Sequence, residues 1–246
     1  MSYKTDGIKK QKYIAENFMK NFDIGEIILA GGAPRNWRLG EFASDLDFYI
    51  CNPSKGKSTI KSIVKDTISR MDDRFSIDDV IIYENKTDIS PKDNNRYDLP
   101  GVNYIAKFDI TVKNEKGTPN RMFLKCDLIV LDPEMYKHPA EYVDEWFDLN
   151  ICKIYMNCNL EEYVTDEFED DIRNEMITVN SDFLSKANKE YPHLIEHSLK
   201  HLRKFQWKSG KMKRFRVVSY VPIKVFDEAN FKYHINTPLW RALNAQ

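Results

Sequence analysis

Apolar residues recur along this chain first at helical spacing, then in short runs, and the alternation predicts its elements. In residues 8–22, IKKQKYIAENFMKNF, the positions Ile8, Tyr13 or Ile14, Phe18 and Phe22 fall at helical spacing, which predicts an amphipathic helix. Asp23 and Gly25 end it. The run EIILA at 26–30 predicts a short buried strand, broken by Gly31 and Gly32. Residues 33–40 follow as a short helix with Pro34 tolerated in its first turn. DLDFYI at 45–50 predicts a second strand, and NPSKGKS at 52–58 a loop. A helix over 58–72 carries Ile60, Ile63, Val64 and Ile68 on one face. DDVIIYEN predicts a strand, residues 86–101 a long polar loop, and 103–112 with 121–131 a hairpin closed by NEKGTPN. Farther on, HPAEYVDEWFDLNICKIYM predicts a helix and then a strand starting near Phe147, and residues 180–208 predict helix. The order of elements implies an α/β or α+β sheet with helices against it, followed by a mainly helical tail.

A length of 246 residues leaves room for one large domain, or for a core domain with a smaller appendage. The net charge of −1 argues against a polyelectrolyte binder as a whole, but the charge is unevenly spread. Residues 197–225 hold Lys200, Arg203, Lys204, Lys208, Lys211, Lys213, Arg214, Arg216 and Lys224 and no acid, while EEYVTDEFEDD at 161–171 is strongly acidic. Cys51, Cys126, Cys152 and Cys158 form no C-x-x-C pair, which argues against zinc and against a disulfide framework. The first three lie in apolar runs and read as buried thiols. MSYKTDGIKKQKY lacks the apolar centre of a signal peptide, and no stretch has the length and apolarity of a membrane span. The expectation is a soluble, cytoplasmic protein away from membranes; its oligomeric state is not legible in the sequence.

Candidate chemistry lies in AGGAPRNWRLGEFASDLDFYI, residues 30–50. Along a strand, side chains at i and i+2 point to the same face, so Asp45 and Asp47 project together while Leu46 enters the core. Two adjacent carboxylates repel unless a cation lies between them. Mg²⁺ is suited to that place, being a hard ion that takes a few carboxylates together with substrate phosphate oxygens. Two such ions can hold both the attacking and the leaving oxygen of a phosphoryl displacement. Gly31 and Gly32 allow backbone to approach a bulky anion, and Arg35 can donate to a phosphate or to a neighbouring carboxylate. A third carboxylate is expected on an adjacent strand, either Asp109 in AKFDITV or Asp127 in LKCDLIVL. Asp127 is preferred, because a charge in so apolar a strand calls for a metal or another partner.

The stretch GGAPRNWRLGEFASDLDF resembles the head-domain signature of the DNA polymerase β-type nucleotidyltransferase superfamily. The likeness is closest to the branch of CCA-adding tRNA nucleotidyltransferases and bacterial poly(A) polymerases. That branch carries Gly-Gly-x-Val-Arg-Asp, then Leu-Leu-Gly, then Asp-x-Asp, and Gly31, Gly32, Arg35, Leu39, Gly40, Asp45 and Asp47 match it without a gap. The resemblance implies a polymerase β-like head over residues 1–160, with a mixed sheet and flanking helices, and a mainly helical C-terminal region over 161–246. It implies that Asp45, Asp47 and Asp127 are catalytic and bind two Mg²⁺ ions, and that Gly31, Gly32, Arg35 and Ser44 bind the nucleotide. WFDLNICKIYM is similar to a second segment of the same branch, which adds Asp148 to the nucleotide-binding set. Asn36 departs from the pattern where the branch has aspartate, as do Pro34, Phe147 and Cys152, and these changes bear on nucleotide selection rather than on the metal chemistry. The likeness extends to small bacteriophage-encoded nucleotidyltransferase-like proteins, which share the head and have a compact C-terminal part.

HSLKHLRKFQWKSGKMKRFRV interleaves cations with Phe205, Trp207 and Phe215, a composition suited to nucleic acid through phosphate pairing and base stacking. Packing of Leu199, Leu202 and Phe205 in a core, with solvated lysines outside, accounts equally for the pattern. His193, His197 and His201 recur at helical spacing, but a metal there would need a supporting carboxylate or cysteine. The expected activity is transfer of a nucleoside monophosphate from an NTP to an acceptor hydroxyl, foremost an RNA or tRNA 3′ end, with release of pyrophosphate. The same chemistry on a protein or small-molecule acceptor, or an inactive nucleotide- or RNA-binding head, are the alternatives.

Overall fold

A computed structural model describes residues 3–52, 56–84, 99–113, 122–191, 194–195, 197–198, 201–202, 205 and 214–218. Most of the expected loop at 86–101, the turn NEKGTPN and most of the basic segment lie outside the described residues, as do parts of the loop at 52–58. The chain divides into two compact units, one of residues 1–144 and 154–163, the other of residues 145–153 and 164–246. Among the described residues no helix is long and apolar enough to cross a membrane.

The first unit is built on a mixed sheet. Its strands are β1 (Ile27–Ala30), β2 (Asp45–Cys51), β3 (Phe75–Glu84), β4 (Val102–Val112), β5 (Met122–Leu131), β6 (Ile154–Met156) and β7 (Glu162–Val164). Their order across the sheet is β3-β4-β5-β2-β1-β6-β7. β2 and β5 are parallel; β1 is antiparallel to β2 and β6, and β4 to β3 and β5. The predicted hairpin is β4–β5, and the predicted helices are α1 (Tyr3–Lys20), α2 (Gly32–Arg38) and α3 (Lys57–Arg70).

One face of this sheet is the main core. Alternation along β2 buries Leu46, Phe48 and Ile50, and along β5 it buries Leu124, Cys126, Leu128 and Val130. α1 contributes Ile14 and Phe18, with Phe22 just past its end, and α3 contributes Ile60, Ile63, Val64 and Ile68 at helical spacing, all buried. Phe18 stacks on Phe48 and Phe108 with ring centroids 4.6 and 5.5 Å apart. On the opposite face, Tyr142 of α4 (Pro139–Trp146) packs against Tyr49 at the far end of β2, with Tyr136 set edge-on to it.

The second unit contains α5 (Asp166–Asn174), β8 (Met176–Thr178), α6 (Ser181–Glu190) and β9 (Arg216–Val218), with helical residues between 194 and 205. Two of its features depart from expectation. WFDLNICKIYM does not run as a strand from Phe147: residues Asn150–Cys152 form a single 3₁₀ turn, and only Ile154–Met156 is extended. Just before the turn, Asn180 binds this run: its backbone N–H donates to Asp148 O at 2.8 Å and its side chain donates to Phe147 O at 3.0 Å. The tail also carries the parallel pair β8–β9 beside its helices. Cys126 and Cys152 are buried as expected, whereas Cys51 is half-buried, and all four cysteines are free.

Candidate active site

β2 opens with Asp45, exposed, and Asp47, partly covered, on the sheet face opposite the main core. Parallel pairing sets Asp47 directly against Asp127 of β5, and Asp45 against Lys125. Antiparallel pairing then sets Asp127 against Lys107 of β4, and Lys125 against Asp109. Residues paired in this way share a face with their Cβ atoms about 5 Å apart. Two adjoining rows result: Lys107, Asp127, Asp47 in one and Asp109, Lys125, Asp45 in the other. Asp127 thus adjoins the Asp45/Asp47 pair, while Asp109 stands exposed with Lys125 between it and Asp45.

The carboxylates repel one another. Burial above all, with repulsion from Asp45 and Asp127, pushes the Asp47 carboxyl up to about 8 against the pull of Lys107 and Arg35. Asp127 is also raised, mainly by burial, although Lys107 Nζ donates to its Oδ2 at 2.7 Å and opposes the rise. Ser44 Oγ donates to Asp45 Oδ1 at 2.8 Å, so the serine braces this carboxylate.

The glycine turn lies at the neighbouring strand end. Gly31 has φ +78°, in the left-handed region that suits glycine, and its N–H donates to Ile154 O of β6 at 2.9 Å. A Cβ on Gly32 would lie 3.8 Å from Arg35 Nη2, in ordinary contact, so the turn runs directly beside the guanidinium. Arg35 is only 3% exposed, a buried cation whose charge reaches Asp47. Asn36 holds it: Arg35 Nε and Nη2 donate to Asn36 Oδ1 at 3.2 and 3.1 Å, and Asn36 Nδ2 donates to Phe42 O at 2.8 Å. An aspartate at position 36 could accept from Arg35 but could not donate to Phe42. The neutral amide therefore orients the guanidinium without cancelling its charge.

Three features of this site escape a reading of the sequence. Lys107 is one. Asn36 is another, visible there only as a departure from a pattern. The third is Gln11 of α1, 3% exposed, which donates to Ala43 O at 2.8 Å and accepts from Trp37 Nε1 and Ala43 N, both at 3.0 Å. It ties α1 to α2 and to the segment that delivers Asp45. The one available signal was a polar residue three positions before Ile14 on an otherwise apolar helical face.

Asp148 belongs to the second unit. Its carboxylate takes His201 Nδ1 at 3.0 and 3.2 Å. Burial pushes this group up, but His201, His197 and Ser198 together carry it below the usual carboxylate range. Asp148 thus supplies the carboxylate that the histidine row lacked in the sequence.

Mg²⁺ can be tested against the donor set. Among the described residues no three His, Cys, Asp or Glu side chains are gathered to hold an ion unaided. Asp45 and Asp47 offer hard oxygens on one face, under mutual repulsion that a cation relieves. Two carboxylates completed by water and substrate oxygens are the usual Mg²⁺ arrangement, so the residues present fit the ion.

No family model matches the sequence, and no curated protein does. Solved structures similar to the chain include a CCA-adding enzyme with CTP, at 11% identity and TM-score 0.46, covering 85% of this chain and 39% of that one. Another is a Thermotoga maritima CCA-adding enzyme complexed with tRNA, at 10% identity and TM-score 0.42, covering 83% of this chain and 40% of the other. A Bacillus stearothermophilus CCA-adding enzyme in complex with CTP stands at 13% identity and TM-score 0.42, covering 88% and 41%. The chain spans about two fifths of the length of these structures.

Proposed function

We propose that this chain is a Mg²⁺-dependent nucleotidyltransferase that moves a nucleoside monophosphate from an NTP to an acceptor hydroxyl, with an RNA 3′ end as the acceptor. The observation that carries the proposal is the in-register placement of Asp45, Asp47 and Asp127 on one face of adjacent parallel strands, with a buried arginine beside them. The acceptor oxygen forms a bond to the α-phosphorus, the bond from that phosphorus to the β-phosphate oxygen breaks, and pyrophosphate leaves. Asp45 and Asp47 would hold Mg²⁺, which when bound supplies charge to the phosphate oxygens and relieves repulsion against the attacking oxygen. Asp127, its carboxyl raised by burial, is suited to accept the proton of the acceptor hydroxyl. Arg35 would hold the triphosphate, fixed in place by Asn36 and approached across the Gly31–Gly32 turn. The cations of residues 197–225 would track the acceptor backbone.

The test is transfer from each labelled NTP in turn to total cellular RNA in the presence of Mg²⁺. Asp45→Ala with Asp47→Ala should lower the rate at least ~100-fold, the order of loss when a group stabilising transition-state charge is removed. Circular dichroism should show the double variant folded. Label entering protein or small molecules instead would move the acceptor and leave the chemistry standing. An unchanged rate in the double variant, or no transfer by the unmodified chain to any of these pools, would refute the proposal.

A further inference from the structure

We propose that Lys107 is a built-in counter-cation that occupies the third carboxylate, Asp127, so that the site takes a single divalent ion, at Asp45 and Asp47. The inference rests on reading those two aspartates as metal ligands and concerns how many ions they and Asp127 hold.

Three observations support it. Pairing of β2 with β5 and of β5 with β4 places Lys107, Asp127 and Asp47 side by side across three strands, with Asp127 in the middle. Lys107 Nζ lies 2.7 Å from Asp127 Oδ2, and both side chains are largely covered, at 32% and 22% exposure. The contact is therefore no loose surface pair. A second ion bridging Asp47 and Asp127 would have to sit about 2 Å from an Asp127 oxygen and so share that carboxylate with the ammonium already bound to Oδ2. It would then face that positive charge at close range in a partly desolvated site.

The charge across the face points the same way. Asp45, Asp47, Asp109 and Asp127 are set against Lys107 and Lys125 on the same sheet face, with Arg35 beside Asp47. Fixed cations thus already offset most of the carboxylate charge. A single negative charge is left, which one divalent ion already exceeds, and a second would leave the face strongly positive before substrate bound. Lys107 acts through Asp127 and is a positioning residue: it holds one oxygen of that carboxylate and disfavours a second ion there.

Counting bound Mn²⁺ by electron paramagnetic resonance tests the idea without any turnover. The full chain is titrated with Mn²⁺ alone, and binding is counted above that of an Asp45→Asn, Asp47→Asn double variant. The unmodified chain should bind one ion, Lys107→Arg one, and Lys107→Met two. Asp127→Asn should still bind one ion with affinity within about threefold, because Asp127 is not a ligand; this variant keeps the test decisive should Lys107→Met fold poorly. Two ions on the unmodified chain, or loss of the ion in Asp127→Asn, would overturn the inference while leaving Asp45 and Asp47 as metal ligands. One ion on a folded Lys107→Met variant would also overturn it. No ion on the unmodified chain would remove this inference and the metal-pair assignment together.

Discussion

Asp47 couples the chemistry of the site to the stability of the fold. In the metal-free protein its carboxyl holds a proton up to about pH 8, whereas in the unfolded chain it ionises near 3.8. The folded state therefore binds more protons across that window. The contribution of Asp47 to stability is complete below the unfolded value and is lost as pH rises through the folded one. A divalent ion needs the ionised form, so its binding expels this proton and becomes more favourable as pH rises. The gap between melting temperatures with Mg²⁺ and with chelator should thus widen from about pH 6 to about pH 8, and should flatten in Asp47→Asn. A gap independent of pH would show that the ion does not bind the ionised Asp47. Much of this was legible in the sequence: the i, i+2 spacing puts both aspartates on one face, and the apolar setting of Asp127 signals a charge in need of a partner. The partner itself was not legible. Lys107 lies twenty positions before Asp127, and only hairpin register decides that it, rather than Lys125, meets that carboxylate.

The geometry of the carboxylate strand depends on how α1, α2 and the segment before β2 are joined. α2 has seven residues and no side-chain cap, so its orientation comes from its surroundings. Gln11 supplies the connection through three buried hydrogen bonds to Trp37 and Ala43. Gln11→Leu keeps the volume and the helix propensity but leaves the Trp37 and Ala43 N–H groups and the Ala43 carbonyl without these partners. The expected loss is about 1–3 kcal/mol for each buried group left unsatisfied, with fewer than three groups paying in full once the segment relaxes. Equilibrium urea unfolding should show a lower midpoint with an unchanged slope. A midpoint unchanged within error would mean that the segment before Asp45 is held by other contacts. Periodicity found α1, α3 and the β4–β5 hairpin because each buries a continuous apolar face. It failed at Leu149–Cys152, where a largely apolar run forms a 3₁₀ turn and the two carbonyls just before it, of Phe147 and Asp148, accept from Asn180 far along the chain.

The two compact units differ in how much of their purpose the residues declare. The first carries the candidate chemistry in a short stretch of sequence and three strands. The second shows a part-buried Asp148–His201 pair, an acidic helix in α5, and a basic run whose cations lie mostly outside the described residues. Charge alone nevertheless makes a quantitative statement about that run. With a net charge of −1, the chain as a whole has little attraction for a polyanion, so the proposed RNA affinity would have to come from a local excess of cations. Residues 197–225 supply such an excess with no acid among them. Each phosphate neutralised on a single strand contributes about −0.7 to the slope of log affinity against log salt. Replacing Lys208, Lys211 and Lys213 together with glutamine should therefore make that slope shallower by about 2, if all three meet phosphate. The same variant should keep its rate of transfer to a short acceptor at saturating concentration, because the carboxylates of the first unit are untouched. Fluorescence anisotropy of a labelled RNA over a range of salt concentrations measures the slope. An unaltered slope would mean that these lysines are solvated and that the acceptor, if RNA, is gripped elsewhere. A shallower slope accompanied by an equal fall in the saturated rate would instead mean that the basic run positions the acceptor hydroxyl as well as attracting its backbone.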